Sequence, residues 1–260
     1  MKKIIMTAIS MLLVGFLAAC GTDEKDSSSG QGADKEVLIM GTSADYPPFE
    51  YVDSAKGEEI IGFDVDLAKA IAEKLGYEVQ VKDMDFNGLI PALETSQVDF
   101  VLAGMTPTDE RKQNVDFSDV YYTASHMIVS KKDSGIESLE DLNGKTVGVQ
   151  LASIQADKAE EIAETVDLTV ENRNRIPELI QEILAGRFDA AIIEDTVAKG
   201  YFEMNEGIAG FTIEEDEQEA GSAIAFPKES DLTEEFNAEL IKMKENGELE
   251  EIIVKWFDNK

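Results

Sequence analysis

The stretch GFDVDLAKAIAEKLGYEVQV, residues 62–81, contains the unit on which the fold is built. Its apolar residues recur at the three- and four-residue spacing of one face of a helix. They stand at positions 63, 67, 68, 71, 72 and 75. Gly76 follows directly and predicts the end of this helix. The segment Val79–Val81 then predicts a strand, so this short stretch contains a helix and the strand that follows it.

The segments on either side extend this unit into an alternating series. Val37–Gly41 is a short apolar run that ends in glycine, which predicts a buried strand ahead of the helix. Leu89–Leu93 predicts a second, shorter helix, and Val98–Ala103 predicts a third strand. The order strand, helix, strand, helix, strand indicates an α/β fold with a parallel sheet.

A second series of the same kind follows along the chain. It begins with a strand at Thr146–Gln150 and reaches a helix that ends at Met204. Two units of about 90 residues each predict two lobes. We expect the chain to cross between them at Met127–Lys131 and to return near Gly221–Phe226, which together make a hinge. The first lobe is expected to contain residues 36–126 and 223–260, and the second lobe residues 127–222.

The N-terminus is typical of an exported protein. Two lysines, a short apolar run and small residues lead up to Cys20, which predicts a signal peptide at residues 1–19. The tetrapeptide LAAC that ends at Cys20 resembles a lipobox, so we expect this cysteine to be acylated and to anchor the protein to a membrane. A plain cleaved signal with an incidental cysteine is the alternative. Residues 20–35 are polar and predict a flexible tether.

Charge and residue content exclude several classes of function. Asp and Glu number 54 against 23 Lys and Arg, a net charge of −31, which disfavours nucleic acid and anionic membrane surfaces as partners. The single cysteine excludes a disulfide within the chain, and the single histidine, His126, argues against a metal site of the usual kind. The sequence has neither a GxSxG nucleophile motif nor a phosphate-binding glycine motif. We therefore expect no cofactor, no metal and no catalytic residue.

Five segments carry a resemblance to a known family. They are GTSADYPPFEY (41–51), GFDVDLAKAIAEKLG (62–76), FNGLIPAL (86–93), LAGMTPTDERKQNVDFSDVYY (102–122) and GKTVGVQLASIQ (144–155). In these segments the chain resembles the solute-binding proteins for polar amino acids that serve ATP-driven importers. Within that family it is most similar to arginine-binding lipoproteins of Gram-positive bacteria.

The resemblance implies a two-lobed, periplasmic-binding-protein-like fold of type II with two hinge crossings. It implies a protein that captures a free amino acid, with arginine favoured, and delivers it to an ABC permease with ATPase subunits. The expected location is the outer face of the bacterial cell membrane, with a Gram-positive cell favoured and the periplasm as the Gram-negative counterpart. The alternatives are glutamine or cystine as ligand, or a dehydratase-like enzyme on the same fold.

The resemblance also implies which groups hold the ligand's carboxylate. Arg111 is implied as the clamp, and its planar guanidinium offers two parallel donors that a lysine cannot match. Thr106 is implied to contribute its hydroxyl and its backbone N–H. The alternative for Arg111 is a surface ion pair with Asp109 or Asp116, which would contribute little.

Further main-chain and acidic groups follow from the same resemblance. Ser153 and the amide of Ile154 are implied to complete the carboxylate cradle at a helix N-terminus, where N–H groups favour anions. Ser153 acting simply as the helix N-cap is compatible with that role. The carbonyl of Gly104 and the carboxylate of Glu194 are implied partners of the ligand's α-ammonium, with the adjacent Asp195 as a competitor for the latter role.

The remaining predicted residues concern the ligand's side chain. Tyr46 and Phe86 are implied as aromatic walls, because stacking a guanidinium or an aliphatic stem between rings is favourable. The alternative is that they are plain core aromatics. Ser43 stands where receptors for cationic amino acids often have an aspartate. Asp45 could supply the charge instead, and Gln155 could supply hydrogen bonds, so the preferred side chain stays open.

Overall fold

The first helix, α1, spans Phe63–Leu75 and matches the helix predicted from residues 62–81. Gly76 ends it with a φ of 89°, the left-handed conformation that glycine adopts without strain. Phe63, Leu67 and Ile71 are fully buried on its inner side. The apolar spacing in the sequence therefore corresponds to the face that packs into the core.

The computed structural model describes residues 35–54, 57–213 and 220–258. The predicted signal peptide, Cys20 and the tether as far as residue 34 lie outside these residues. Within the described ranges, none of the helices combines the length and apolar character that a bilayer crossing requires.

The first sheet has five strands in the order β5-β1-β6-β15-β7. They are β1 (Val37–Thr42), β5 (Glu78–Asp83), β6 (Phe100–Val101), β7 (Val115–Phe117) and β15 (Ala225–Pro227). β1 lies parallel to β5 and β6, whereas β15 is antiparallel to β6 and β7. The register pairs Thr42 with Asp83, so the carboxyl ends of β1 and β5 reach the same edge of the sheet. Ligands of open α/β sheets bind at this edge.

The second sheet repeats this arrangement with the order β11-β10-β12-β9-β13. Its strands are β9 (His126–Lys131), β10 (Lys145–Gln150), β11 (Leu168–Arg173), β12 (Ala190–Glu194) and β13 (Ile208–Thr212). β10 lies parallel to β11 and β12, and β9 is antiparallel to β12 and β13. The repeat seen in the sequence is thus a repeat of strand order and direction. We call the elements around each sheet the first side and the second side.

Two short strands connect the two sides. β8 (Tyr122–Ala124) leads from the first sheet to the second, β14 (Ala220–Ser222) leads back, and the two pair antiparallel. The prediction that Met127–Lys131 is the crossing strand is wrong, because β9 pairs on both edges inside the second sheet. The return near Gly221 falls where the sequence predicted it. The lobe boundaries at residues 126 and 222 stay predictions.

A small three-stranded sheet carries residues toward the gap between the two sides. It contains β2 (Asp45–Tyr46), β3 (Glu50–Asp53) and β4 (Glu59–Ile61), and its register places Tyr46 opposite Glu50. Gly62 then leads into α1 with a φ of 143°, and a Cβ at this position would lie 2.0 Å from the carbonyl oxygen of Phe49. Only glycine allows the chain to pass this close to the hairpin.

The remaining helices cover the sheets. They are α2 (Leu89–Glu94), α3 (Ile154–Ala163), α4 (Ile176–Ala185), α5 (Asp195–Met204), α6 (Asp231–Asn246) and α7 (Glu248–Ile253). Short turns of 3-10 helix at Phe86–Gly88 and Arg111–Gln113 lie close to the edge where the parallel strands end. α6 and α7 pack on α1 beside the first sheet, so the end of the chain completes the side on which it began.

Candidate functional site

A narrow cavity lies between the carboxyl ends of the two sets of parallel strands. All the residues that the sequence singled out for ligand contact line it, from both sides. They are Ser43, Asp45, Tyr46, Phe86, Gly104, Thr106, Arg111, Ser153, Ile154, Gln155 and Glu194. Three further residues, Glu50, Ala103 and Gln150, also line it, and sequence reasoning missed Glu50 and Gln150. The predicted residues thus converge on one place, while their contact with a ligand stays a prediction.

Arg111 is a buried cation at the start of a 3-10 turn on the first side. Its Nη1 donates to the carbonyl oxygen of Thr106 at 2.8 Å, and its Nη2 donates to that of Ala152, on the second side, at 2.9 Å. No acidic side chain in the described ranges lies within ion-pair distance of it. Burial lowers its pKa to about 10, so the guanidinium remains charged at neutral pH.

The alternative in which Arg111 forms a surface ion pair is wrong. Asp116 pairs with Lys228 at 2.8 Å, and Asp109 lies 3.8 Å from Lys112. The guanidinium instead lies 5.3 Å from the centre of the Phe86 ring. A buried arginine held by carbonyl oxygens keeps donors that are suited to an anion.

The N-terminus of α3 lies beside Arg111 at the same end of the cavity, because Ala152, which accepts from Arg111, directly precedes Ser153. Ser153 caps this helix, since its Oγ accepts from the N–H of Ala156 at 3.2 Å and donates to the carbonyl oxygen of Gln150 at 2.8 Å. The capping role weighed for Ser153 is therefore observed. The amides of Ile154 and Gln155 belong to the first turn, where N–H groups have no partner within the helix and favour an anion.

Glu194 ends β12 and is 2% exposed. Its Oε2 accepts from the hydroxyl of Tyr46, across the cavity, at 3.4 Å, and its Oε1 has no hydrogen-bond partner. Burial, and then the charge of Asp195, raise its pKa well above the usual range. Asp195 itself does not line the cavity and forms an ion pair with Lys199 at 2.6 Å. The geometry therefore favours Glu194 over its neighbour as the cavity's acidic group.

Glu50 and Asp64 form a second buried acidic group beside Glu194. Both are 0% exposed, and Glu50 lines the cavity while Asp64 lies behind it. Neither oxygen of Glu50 accepts a hydrogen bond from an N–H or O–H donor in the described residues. Burial, and then the neighbouring Asp64, raise the pKa of Glu50 well above its usual range. We call Glu50, Asp64 and Glu194 the acidic floor.

Asp64 supports the main chain that lines the cavity. Its Oδ2 accepts from the N–H of Gly104 and from the hydroxyl of Tyr121, both at 2.9 Å. Burial raises its pKa to about 6, although these two hydrogen bonds act in the opposite direction. Gly104 has a φ of 55°, and a Cβ there would lie 3.0 Å from the Tyr46 ring. Glycine therefore lets the chain pass beside the aromatic wall.

The sequence contained one usable signal for Glu50. The turn Tyr46-Pro47-Pro48-Phe49 joins two short strands, and a hairpin at that turn places Glu50 directly opposite Tyr46. A residue opposite a predicted aromatic wall is itself a candidate. Asp64 gave no such signal, because it reads as one polar position on α1 and its partner Gly104 is 40 residues away.

Asp45 connects the two sides of the cavity. Its Oδ1 accepts from the hydroxyl of Ser43 at 3.1 Å, and its Oδ2 accepts from the N–H of Ile176, at the start of α4, at 2.9 Å. Burial raises its pKa to about 6, while the Ile176 hydrogen bond opposes the shift. Both carboxylate oxygens of this selectivity candidate are thus already engaged by the protein.

An ion-paired group closes the rim beside Asp45. Arg175, on the second side, donates from Nη1 to Asp83 at 2.8 Å and from Nε to Asp85 at 2.7 Å, both on the first side. Asn174 adds a hydrogen bond from Nδ2 to Asp85 at 3.0 Å. We call Arg175, Asp83 and Asp85 the rim cluster. It connects the two sides without touching the cavity.

No set of three or more His, Cys, Asp or Glu side chains in the described part of the chain is arranged to hold a metal ion. The acidic floor is divided between β3, α1 and β12, and its neighbours are tyrosine hydroxyls and a backbone amide. The arrangement is suited to an organic molecule with an anionic end and cationic groups.

Comparison with known proteins identifies the family. The model of the bacterial extracellular solute-binding proteins, family 3, matches residues 38–259. The chain belongs to this family. Members of family 3 are binding proteins, so this protein binds a solute and is not an enzyme. The predicted family and the type II two-lobed α/β fold with its two crossings are confirmed.

Individual relatives of this family 3 protein cover nearly all of the chain. The arginine-binding extracellular protein ArtP of Bacillus subtilis (strain 168) is 58% identical over 258 residues, which are 99% of this chain and 98% of that protein. A solved ancestral arginine-binding protein bound to arginine is 42% identical with a TM-score of 0.79, over 86% of this chain and 99% of the other. An ancestral arginine-binding protein bound to glutamine is 42% identical with a TM-score of 0.78, over 86% and 98%.

Proposed function

We propose that this protein captures arginine and delivers it to an ABC permease with ATPase subunits. One observation carries the proposal. The same buried cavity contains a guanidinium with no acidic partner among the described side chains and two carboxylates, Glu50 and Glu194, that lack strong donors. Arginine has one anionic and two cationic groups, which are the charges this cavity leaves uncompensated. The 58% identity to a protein named arginine-binding supports the same ligand.

The ligand's α-carboxylate is assigned to the cationic end. Arg111 offers donors there, and the first turn of α3 offers the amides of Ile154 and Gln155. Thr106 lies at the same end, where its carbonyl already holds the guanidinium. Each charge-assisted hydrogen bond contributes about 1.5–3 kcal/mol. Two such bonds account for a large share of the ~8 kcal/mol that micromolar binding represents.

The two cationic groups of the ligand are assigned to the acidic floor. Glu194 and the carbonyl of Gly104 receive the α-ammonium, as the family resemblance implies. Glu50 then receives the ligand's guanidinium, because it is the other cavity carboxylate without a donor. Tyr46 and Phe86 line the same cavity and offer ring faces to the ligand's aliphatic stem and guanidinium.

Closure around the ligand follows from the two-sided construction of the site. Arg111 and Glu50 belong to the first side, whereas Ser153 and Glu194 belong to the second. Since β8 and β14 are the two connections, the sides can move about them as a hinge. A ligand that bonds to both sides stabilises the closed arrangement over an open one.

The N-terminal features complete the proposal. The lipobox-like LAAC supports acylation of Cys20 after removal of residues 1–19, and residues 20–35 serve as the tether. With this anchor the proposed location is the outer face of a bacterial membrane, of the Gram-positive type. A tether keeps the local concentration of the binding protein at the permease high.

Glutamine is the second candidate, and one observation favours it. Burial and Asp64 raise the pKa of Glu50 well above its usual range, and a protonated carboxyl can donate to an amide oxygen. A similar protein has been solved with glutamine bound. The side chain of glutamine would then take the place assigned to the guanidinium.

A thermal-shift and calorimetry panel tests these ligands against one another. We expect arginine to raise the melting temperature most, with lysine and ornithine weaker because neither has a planar guanidinium. If glutamine or cystine stabilises the protein while arginine does not, the arginine proposal is wrong. Labelled arginine uptake by cells, measured with and without the Cys20→Ala substitution, tests the anchored transport role.

A further inference from the structure

We propose that Glu50 and Asp64 share one proton before ligand binds and that a cationic amino acid displaces it, so that the protein distinguishes cationic from neutral ligands by exchanging a proton for a cation. This inference rests on the proposed function, because it concerns the same cavity. It adds a proton to the binding equilibrium: protonated protein and cationic ligand give the complex and a free proton.

The carboxyl oxygens of the pair that lack a hydrogen-bond donor can share one proton. Oδ2 of Asp64 is fully used by Gly104 and Tyr121, whereas its Oδ1 accepts nothing. Both oxygens of Glu50 likewise accept nothing, and Asp64 lies within hydrogen-bonding reach of Glu50. A proton held between the two carboxyls joins Oδ1 of Asp64 to one oxygen of Glu50, so two of these three oxygens gain a hydrogen bond. Two fully buried carboxylates so close together repel each other strongly when both are charged.

Among the described residues, no lysine or arginine forms an ion pair with Glu50 or Asp64. The ionisable groups that act on Glu50 are Asp64 on α1, Asp45 and Tyr46 on β2, and Glu194 on β12. His126 stands opposite Glu194 in the register of β9 and β12, and Tyr121 is bonded to Asp64. Arg111, the cation of the cavity, is placed among carbonyl oxygens at the other end. The negative charge of each neighbouring carboxylate therefore favours the protonated form of Glu50.

The direction of each pKa shift agrees with this arrangement. Burial and then Asp64 raise the pKa of Glu50, and burial raises that of Asp64 to about 6. A ligand guanidinium placed against Glu50 has the opposite effect and favours the charged form. An uncharged amide provides no such compensation, so the pair keeps its proton when glutamine binds.

Calorimetry in buffers with different ionisation enthalpies measures the exchange directly. At pH 6 we expect release of close to one proton per arginine bound, and none with glutamine at concentrations that give binding heat. Arginine affinity is expected to rise with pH, by at most about tenfold per pH unit, because each complex formed releases a proton. Arginine binding without proton release at any pH between 5 and 8 would overturn the inference while leaving the proposed function intact.

Two variants make the test specific. Glu50→Gln is expected to abolish proton release and to weaken arginine binding more than glutamine binding, since the amide cannot give up a proton. The control Glu73→Gln changes an exposed glutamate on α1 and is expected to behave as wild type. Undiminished proton release in Glu50→Gln, with circular dichroism showing a folded protein, overturns the assignment to this pair. If arginine, lysine and ornithine all fail to bind the wild type, the proposed function fails together with the inference.

Discussion

The acidic floor and the rim cluster both contain carboxylates, but only the carboxylates of the rim cluster are paired with a cation. At the rim, Arg175 from the second side compensates Asp83 and Asp85 from the first through short hydrogen bonds. In the floor, Glu50 lies fully buried without a donor. Buried carboxylates without partners lower stability. The protein thus pairs its rim carboxylates with a cation, whereas the floor carboxylates have no cationic partner among the described residues.

This difference separates two contributions to binding. The floor can discriminate among ligands, because its groups lie where ligand atoms are placed. The rim cluster does not line the cavity, so we expect it to act mainly on how readily the two sides come together. Substitutions in the floor should therefore change which ligand binds, and substitutions in the rim should change all ligands alike.

The largest effect is expected at the cationic end that complements the floor. Arg111→Ala removes two charge-assisted hydrogen bonds of about 1.5–3 kcal/mol each, which corresponds to a loss of about 100- to 10,000-fold in affinity for every amino acid. Isothermal titration calorimetry measures it. Arg187→Ala, which removes an exposed arginine paired with Glu182, is the control and should bind as wild type. If Arg111→Ala binds amino acids as tightly as the wild type does, Arg111 is not the group that holds the ligand's carboxylate.

The next effect concerns the part of the floor that faces the α-ammonium. Glu194→Gln replaces a charged acceptor by a neutral one and should weaken arginine and glutamine equally, by about 1.5–3 kcal/mol. Titration calorimetry of both ligands checks this. Asp195→Asn is the matched control, because Asp195 pairs with Lys199 outside the cavity. A larger loss in the control than in Glu194→Gln would reverse the assignment of these two residues.

A smaller effect is expected on the stability of the protein without ligand. Because burial raises the pKa of Asp64 from 3.8 to about 6, its contribution favours folding at low pH and is lost as the pH rises through 6. Glu50→Gln provides a neutral donor to this pair. It should raise the melting temperature by about 2–4 °C for each kcal/mol gained, and more at pH 7.5 than at pH 4. Calorimetric melting at the two pH values measures the difference, and a variant less stable at pH 7.5 would contradict it.

The smallest effect is expected at the rim. Arg175→Ala breaks partly exposed ion pairs, each of which contributes about 0.2–1 kcal/mol. Arginine and glutamine affinities should fall by the same few-fold factor, mainly through faster dissociation, and the loss should shrink at high salt. Stopped-flow fluorescence at low and high salt follows both rates. A change in the ratio of the two affinities would show that the rim takes part in selectivity after all.

The sequence predicted the parts of this molecule that depend on local pattern. The helix α1 with its terminal Gly76 and the parallel strands β1, β5, β6 and β10 follow from periodicity and from glycine. The sequence did not predict β7 and β13. The place of Arg111 followed from the family resemblance and from its guanidinium chemistry. The convergence of Tyr46, Phe86 and Glu194 followed from the resemblance, since strand ends in different parts of the chain meet only after folding.

The parts that were missed depend on contacts between distant segments. β8 has three residues, which are too few to show a period. The longer apolar run in β9 was therefore predicted to be the crossing strand instead. Glu50 looked like one acidic residue among 54. Its burial beside Asp64 and Glu194 arises from three elements packed together, which no local pattern reports.

The position of β15 means that the second sheet can be completed before the first. This strand lies between β6 and β7, with Ala225 opposite both Val101 and Phe117, although the chain reaches it only after finishing the second sheet. During synthesis the N-terminus emerges first, so every strand of the second sheet has been made by residue 212. The first sheet still has a gap at that moment. The half of the protein that begins earliest must therefore wait for the tail of the chain before it can close.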